Sequence, residues 1–191
     1  MSLINAQYFV GNLMIPNAAE ASVASTINFY INKYEKDFLV NLLGYQLYKV
    51  HSDNTTDQRF KDIIEGCEYT DYNGNTAKWK GLIEILVPDP VAPATNPIGQ
   101  KQSIIANYVY FYYRKYNMSQ FTGIGEVITK ASEGSDHVSP RRKIIAIWNE
   151  IHFEVSDFIA YMEMSQDKYP EWPIEDKYKA LDTFGFINPI Y

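Results

Sequence analysis

Between Ala18 and Leu43, apolar side chains recur at Val23, Ile27, Ile31, Tyr34, Phe38 and Leu42. Their steps of four, four, three, four and four place them on one face of an α-helix. Gly44 stands where a C-terminal cap belongs, and "YQLYKV" reads as a short second helix after a bend. The cleanest helix comes late. Ser139 is a capping residue type, Pro140 suits the first helical position, and Ile144, Trp148, Ile151, Val155, Phe158 and Met162 follow at helical spacing. This helix should end near Gln166. "TTDQRFKDIIEGC" predicts another short helix, with Thr55 or Thr56 as cap and Phe60, Ile63 and Ile64 facing inward.

Other stretches break the helical period. The segment "INAQYFVGNLMIPN" reads as an extended arm with one short strand. "EYTDYNGNTAKWKG" carries an Asn73-Gly74 turn between Tyr- and Trp-bearing arms, a hairpin signal. "VPDPVAPATNP" holds four prolines in eleven residues, so it is neither regular helix nor central strand. "TGIGEVITKASEGSDHVS" predicts a pair of short β segments or an irregular loop. The pattern as a whole predicts a mainly α protein: a helical bundle with a small β-hairpin, long irregular loops and an extended C-terminal tail. Residues 1–165 form one helical domain, with the N-terminal arm and a hairpin near 68–81. Residues 166–191 are the tail.

"NYVYFYYRKYN" sets six aromatic rings in eleven residues. Ile104, Tyr108, Phe111 and Lys115 share one side of the expected helix; Ile105, Val109, Tyr112 and Tyr116 lie beside it. Apolar character around so much of the circumference marks a central helix. A base-stacking platform would need a positive groove, and only Arg114 and Lys115 are adjacent. Core packing is the favoured reading, and a protein–protein interface, where Tyr is enriched, remains open.

Composition narrows the function. The 191 residues suit one ordinary domain, with 46% hydrophobic and 21% charged residues. The net charge of −6 argues against a protein that grips phosphates through a basic face. The lone Cys67 excludes an intrachain disulfide and a Cys-rich zinc site. No secretory signal is visible and no apolar run is long enough for a bilayer, which predicts a soluble, unexported protein.

Catalytic patterns are weak. His51, His137 and His152 lack metal-ligand partners at helical spacing. Glu150, Glu154 and Asp157 share one helix face and read as a solvated acidic stripe. "HSD" at His51 has triad residue types, but triads are assembled by folds, not by neighbours in sequence. "TGIGEV" lacks the third glycine of the dinucleotide fingerprint. We expect no enzyme, no cofactor and no metal.

Two features are odd on physical grounds. Arg141, Arg142 and Lys143 occupy the first turn of the long helix, where each cation costs about 0.3–1 kcal/mol against the dipole. They reach solvent and nearby carboxylates, or they serve an intermolecular contact. The tail "TFGFINPIY" is strongly apolar, with Phe184, Phe186, Ile187, Ile190 and Tyr191. Such a segment either folds back on its domain or docks on a partner.

The stretches "YEKDFLVNLLGYQLY" (Tyr34 to Tyr48), "YNGNTAKWKGL" (Tyr72 to Leu82), "SPRRKIIAIWNE" (Ser139 to Glu150) and "YPEW" (Tyr169 to Trp172), with the terminal aromatic–Gly segment, carry a resemblance over nearly the whole length. The chain resembles the head-to-tail connector (adaptor) proteins of tailed phages, in the version found in phages and prophages of Bacteroides-type bacteria. Its motifs are structural. The resemblance implies a homo-oligomeric ring under the portal protein, carrying double-stranded DNA through its channel with weak contact and presenting a surface to the next tail or stopper component. Its place would be the virion head–tail junction, and the host cytoplasm during assembly. A subunit of such a ring can be a monomer in isolation. The Arg141–Lys143 cluster would lie at a subunit interface or near the channel. Trp172, Phe184, Phe186, Ile187, Ile190 and Tyr191 would belong to a docking tail. A stopper or tail-completion role in the same particle, and a cellular helical interaction module, are the competing readings.

Overall fold

The computed structural model describes residues 2–85, 101–117, 119–122, 125–128 and 140–187, and of 84, 85, 119–122, 125–128 and 140 the backbone alone. The protein is mainly helical, as the spacing predicts. Its helices are α1 (Ala21–Asp53), α2 (Gln58–Glu65), α3 (Ile104–Asn117), α4 (Pro140–Met164) and α5 (Ile174–Thr183). Among the described residues, three antiparallel strand pairs accompany them: β1 (Cys67–Thr70) with β2 (Thr76–Trp79), β3 (Ile83–Ile85) with β4 (Lys101–Ser103), and β5 (Ser119–Thr122) with β6 (Gly125–Ile128).

Helix α3 lies between α1 and α4, while α5 packs on both α1 and α4. The apolar ladder of α1 is buried from Ile27 through Leu47, and that of α4 from Ile144 through Met162. Helix α1 is interrupted at Gly44 (φ 72°, ψ 159°), which is the predicted cap and bend. The first cap of α2 is Asp57, whose carboxylate accepts from the Arg59 N–H at 2.9 Å; neither Thr55 nor Thr56 holds that place.

The aromatic stretch is largely core. Tyr108 and Tyr110 are buried, Phe111 to Tyr113 are half-buried against the core, and Tyr116 is exposed. Tyr34 and Tyr112 stack with centroids 4.2 Å apart. Tyr108 donates its hydroxyl to Asp37 at 2.6 Å, so a buried ring reaches a polar rim. Burial, with that bond, holds the Tyr108 phenol well above its ordinary pKa.

The structure corrects the arm. No strand forms there. Two short 3-10 turns, Ala6–Tyr8 and Gly11–Leu13, fold Ile4, Tyr8, Phe9, Leu13 and Ile15 into the core. The arm is fastened by Glu35, buried on α1. Its carboxylate accepts from the Ser2 hydroxyl at 2.6 Å, from the Leu3 N–H at 3.0 Å and from the Ile4 N–H at 3.2 Å.

The structure also corrects the tail. Residues 166–191, expected to be extended, include the helix α5 and bury Tyr169, Trp172, Ala180 and Phe184. Arg59 of α2, paired with Asp57 at 3.0 Å, holds the turn before α5 through Glu171 (3.2 Å) and the Lys168 carbonyl (3.3 Å). Tyr169 donates to the Arg59 carbonyl at 3.0 Å and shares a 2.7 Å bond with Tyr161. The β3–β4 pair was not anticipated. It closes the ends of the proline-rich segment, whose residues 86–100 lie outside the described residues.

His51 is the one polar group of the core that the packing leaves unmatched among the described residues. It is buried, it stacks on Phe60 at 4.9 Å, and neither ring nitrogen meets a hydrogen-bonding partner. Burial pushes its pKa below the ordinary 6.5; Asp57 and Glu171 nearby oppose that shift and Arg59 supports it. The ring is therefore neutral in the fold and takes up a proton more readily once unfolded. Its contribution to stability is present above pH 6.5 and is lost as pH falls through the lowered folded-state value, with a slope of at most ~1.4 kcal/mol per pH unit. His51→Phe should keep the ring stack and remove this term. Urea unfolding at pH 7 and pH 5 tests it: the variant should gain on the native chain as pH falls, and a pH-independent difference would contradict the assignment.

Candidate assembly surface

Helix α4 is the platform. Its inward face is consumed by Ile144, Ile147, Trp148, Ile151, Val155, Phe158 and Met162. Its first turn leaves Arg141 and Arg142 exposed, and neither forms an ion pair among the described residues. Lys143 is half-buried, with its ammonium 5.5 Å from the centre of the Tyr110 ring. The cluster thus divides into one cation satisfied by an aromatic face and two guanidiniums open to solvent. The capping candidate Ser139 lies outside the described residues.

After α5 the chain returns as a strap along α4. Phe184 is fully buried, with ring centroids 5.3 Å from Phe38, 5.8 Å from Tyr108 and 6.3 Å from Trp148. The strap is then held by side chains of α4. His152 Nδ1 is 2.9 Å from the Phe184 carbonyl, and the Trp148 indole donates to the Gly185 carbonyl at 2.8 Å. Asn149 makes two bonds to Ile187: its Nδ2 donates to the carbonyl at 3.1 Å, and its Oδ1 accepts from the N–H at 3.0 Å. The tail folds back on its own domain at least as far as Ile187.

The predicted interface residues therefore separate. Trp172 and Phe184 are core. Ile187 is anchored to α4. Phe186 points outward, 49% exposed, and joins Phe153 (61%) and the edge of His152 in an aromatic patch. Arg141 and Arg142 open the same helix. Ile190 and Tyr191 lie outside the described residues. Phe153 and Asn149 were not singled out from the sequence, and His152 was weighed only as a metal ligand. Phe153 sits off the apolar ladder of α4, the only sequence signal of an outward aromatic there.

A cleft of about 420 Å³ opens on another face of α4, lined among others by Tyr8, Lys80, Lys101, Ser103, Glu150 and Glu154. Lys80 pairs with Glu154 at 3.2 Å, and the Lys101 ammonium lies 5.4 Å from the Tyr8 ring centre. Desolvation at the cleft wall pushes the Glu150 carboxyl up, partly offset by Lys80. A smaller cleft of about 230 Å³ continues along Asp157, Lys78 and Tyr69. Glu150 and Asp157 are exposed and Glu154 half-buried, so the stripe is solvated as expected, and it borders the two clefts beside their lysines.

Most residues of the weak catalytic patterns can be placed; His137 lies outside the described residues. His51 is core, while Ser52 donates to the Lys49 carbonyl at 3.0 Å on the exposed end of α1. Within "TGIGEV", Thr122 ends β5 and pairs with Gly125 at the start of β6, while residues 123 and 124 lie outside the described residues. Among the described residues no group of three or more His, Cys, Asp or Glu could hold a metal ion, and no helix is long and apolar enough to cross a membrane. Compared with known proteins, the chain matches no family model, no curated protein and no solved structure.

Proposed function

We propose that this chain is a structural subunit of a tailed-phage particle, a head-to-tail connector (adaptor) that forms a ring under the portal and lets DNA pass. The observation that carries the reading is the pairing, along α4, of two solvent-open guanidiniums with an exposed aromatic patch that Phe153 shares with Phe186 of the strap. Arg141 and Arg142 are exposed, with no ion pair among the described residues, at a helix end that disfavours their charge, while Phe153 and Phe186 keep apolar area in water. Arg and aromatic side chains are the types enriched at the energetic centres of protein interfaces. The sequence resemblance supplies the kind of assembly. The net charge of −6 suits a conduit that must release DNA.

The test is capture of tagged protein from a lysate of its native host during particle assembly, with the double variant Arg141→Glu/Arg142→Glu beside it. The native chain should recover portal and tail components, and the variant should lose at least roughly tenfold of that recovery, the equivalent of about 1.4 kcal/mol. Equal recovery by both chains would remove the guanidiniums from the interface. Recovery of cellular proteins alone would overturn the connector reading.

A further inference from the structure

The N-terminal arm, the exit of the β1–β2 hairpin, β4, the first turn of α3 and α4 all meet at the larger cleft. Its volume of about 420 Å³ falls within the range of small-molecule sites, roughly 300–1,000 Å³. Tyr8, Leu13, Leu82 and Ile104 line it and are themselves buried, which gives it an apolar floor. One wall is held by backbone. The Leu82 N–H donates to the Ile63 carbonyl at 3.1 Å, and the Ser103 hydroxyl donates to the Leu82 carbonyl at 2.9 Å. The same hydroxyl accepts from the Ile105 N–H at 3.1 Å, so the hairpin exit, β4 and the start of α3 are joined into one preformed wall.

The charges of the cleft are sorted by element. Its lysines, Lys80 and Lys101, come from the hairpin exit and β4, while both glutamates, Glu150 and Glu154, come from α4. Lys80 and Glu154 pair at 3.2 Å and offset each other. The Lys101 ammonium rests 5.4 Å from the Tyr8 ring centre and makes no ion pair among the described residues. Glu150 likewise makes none. Desolvation raises the pKa of its carboxyl, and a cation set beside the carboxylate would work against that rise. Asn12 and Asn107 add uncharged donors and acceptors to the lining. A simple anion drawn to Lys101 would meet the acidic side of α4, and a simple cation drawn to Glu150 would meet the lysines. A molecule that carries both charges avoids both conflicts.

We propose that this cleft binds a small zwitterion, a free amino acid or a short peptide with both its α-ammonium and its α-carboxylate unblocked. The carboxylate accepts a charge-assisted bond from Lys101, the ammonium donates one to Glu150, and an apolar side chain lies on the floor. The Lys80–Glu154 pair keeps the site neutral overall and separates it from a plain phosphate or cation site. The cleft lies on another face of α4 from the aromatic patch, so the inference goes beyond the connector reading and does not depend on it.

Amide NMR titration of the full chain with glycyl-leucine and with free leucine tests it. At least one should saturate at millimolar concentration or below and shift the amides of Leu82, Lys101 and Glu150; the tighter of the two identifies the source. Acetylating the amine of that ligand, or amidating its carboxylate, should weaken binding about tenfold, the loss of one bond between charged partners. These blocked ligands probe the native chain and need no variant. Lys101→Gln should weaken the unblocked ligand by the same factor and abolish the penalty for amidation, and Glu150→Gln should do so for acetylation. Lys101 is half-buried and Glu150 exposed, so both variants should keep the native Tm. No saturation by either ligand, equal binding of the blocked forms, or folded variants that bind like the native chain would each overturn the assignment.

Discussion

Trp172→Ala should destabilise the protein by about 3–5 kcal/mol, the range for removing a large buried aromatic. The indole is 3% exposed and meets Phe158 edge-on at 6.0 Å. Its N–H donates to the Leu42 carbonyl at 3.2 Å, two residues before the break of α1 at Gly44. The alanine variant loses the packing and leaves that buried carbonyl without its donor. Trp172→Phe keeps most of the ring and loses the bond, so it should cost less, near ~1–3 kcal/mol. For a chain of this size the alanine variant should melt ~10 °C lower. Urea unfolding of the two variants checks the order and the size. A loss below about 1 kcal/mol for alanine would mean that the tail packs on the domain far more loosely than its burial implies.

This expectation changes how assembly should be tested. Cutting the chain at Trp172 removes Ala180 and Phe184 as well, both fully buried. Failure of such a truncation to assemble would report unfolding. Substitution at Phe186, or ending the chain after Ile187, leaves the core in place and keeps an assembly defect interpretable.

The long-period elements were legible because their burial is carried by many residues in register. The ladder from Ile144 to Met162 in α4 is buried throughout, and the Asn73-Gly74 turn does join β1 to β2. Here Asp71 accepts from the Asn73 and Asn75 N–H groups at 2.9 and 2.8 Å, a local device visible in the sequence. Among the short elements, α2 was legible through Phe60, Ile63 and Ile64, but others left no such trace. Helix α5 has ten residues and buries only Ala180 completely within them. It is preceded by Pro170 and Pro173, residues that break a helical period, yet Pro173 sits just before the helix, where proline is compatible with helix entry. The N-terminal arm has no period because 3-10 turns repeat too briefly to show one. At the candidate surface, the misplaced charges of Arg141 and Arg142 could be read from dipole physics alone. The Asn149–Ile187 clasp could not, since it exists only after α5 turns the chain back across α4.

Gly81→Ala should be the other severe substitution, with a loss of about 4 kcal/mol. After β2 the chain turns back onto the end of α2. The Trp79 indole donates to the Ile63 carbonyl at 2.9 Å, and the Leu82 N–H donates to the same oxygen at 3.1 Å. Gly81 sits in this crossing with φ +92°, and a Cβ there would stand 2.6 Å from the Ile64 carbonyl oxygen, the Gly66 nitrogen and the Glu65 carbonyl carbon. All three are backbone atoms, so no side chain can swing aside. The left-handed conformation alone costs a residue with a Cβ about 1–3 kcal/mol. The overlap adds the cost of prising the hairpin from α2 and disturbing Lys80, which pairs with Glu154 at the cleft. Gly74 separates the two contributions. It has φ +82° but nothing within 4 Å of an added Cβ. Gly74→Ala should therefore show the conformational cost alone, ~1 kcal/mol, and the excess at Gly81 measures the close approach. Unfolding curves for both variants decide the matter: equal losses at the two glycines would mean that the α2–hairpin crossing yields freely, and that the junction is not the rigid mount of Lys80 that its backbone contacts imply.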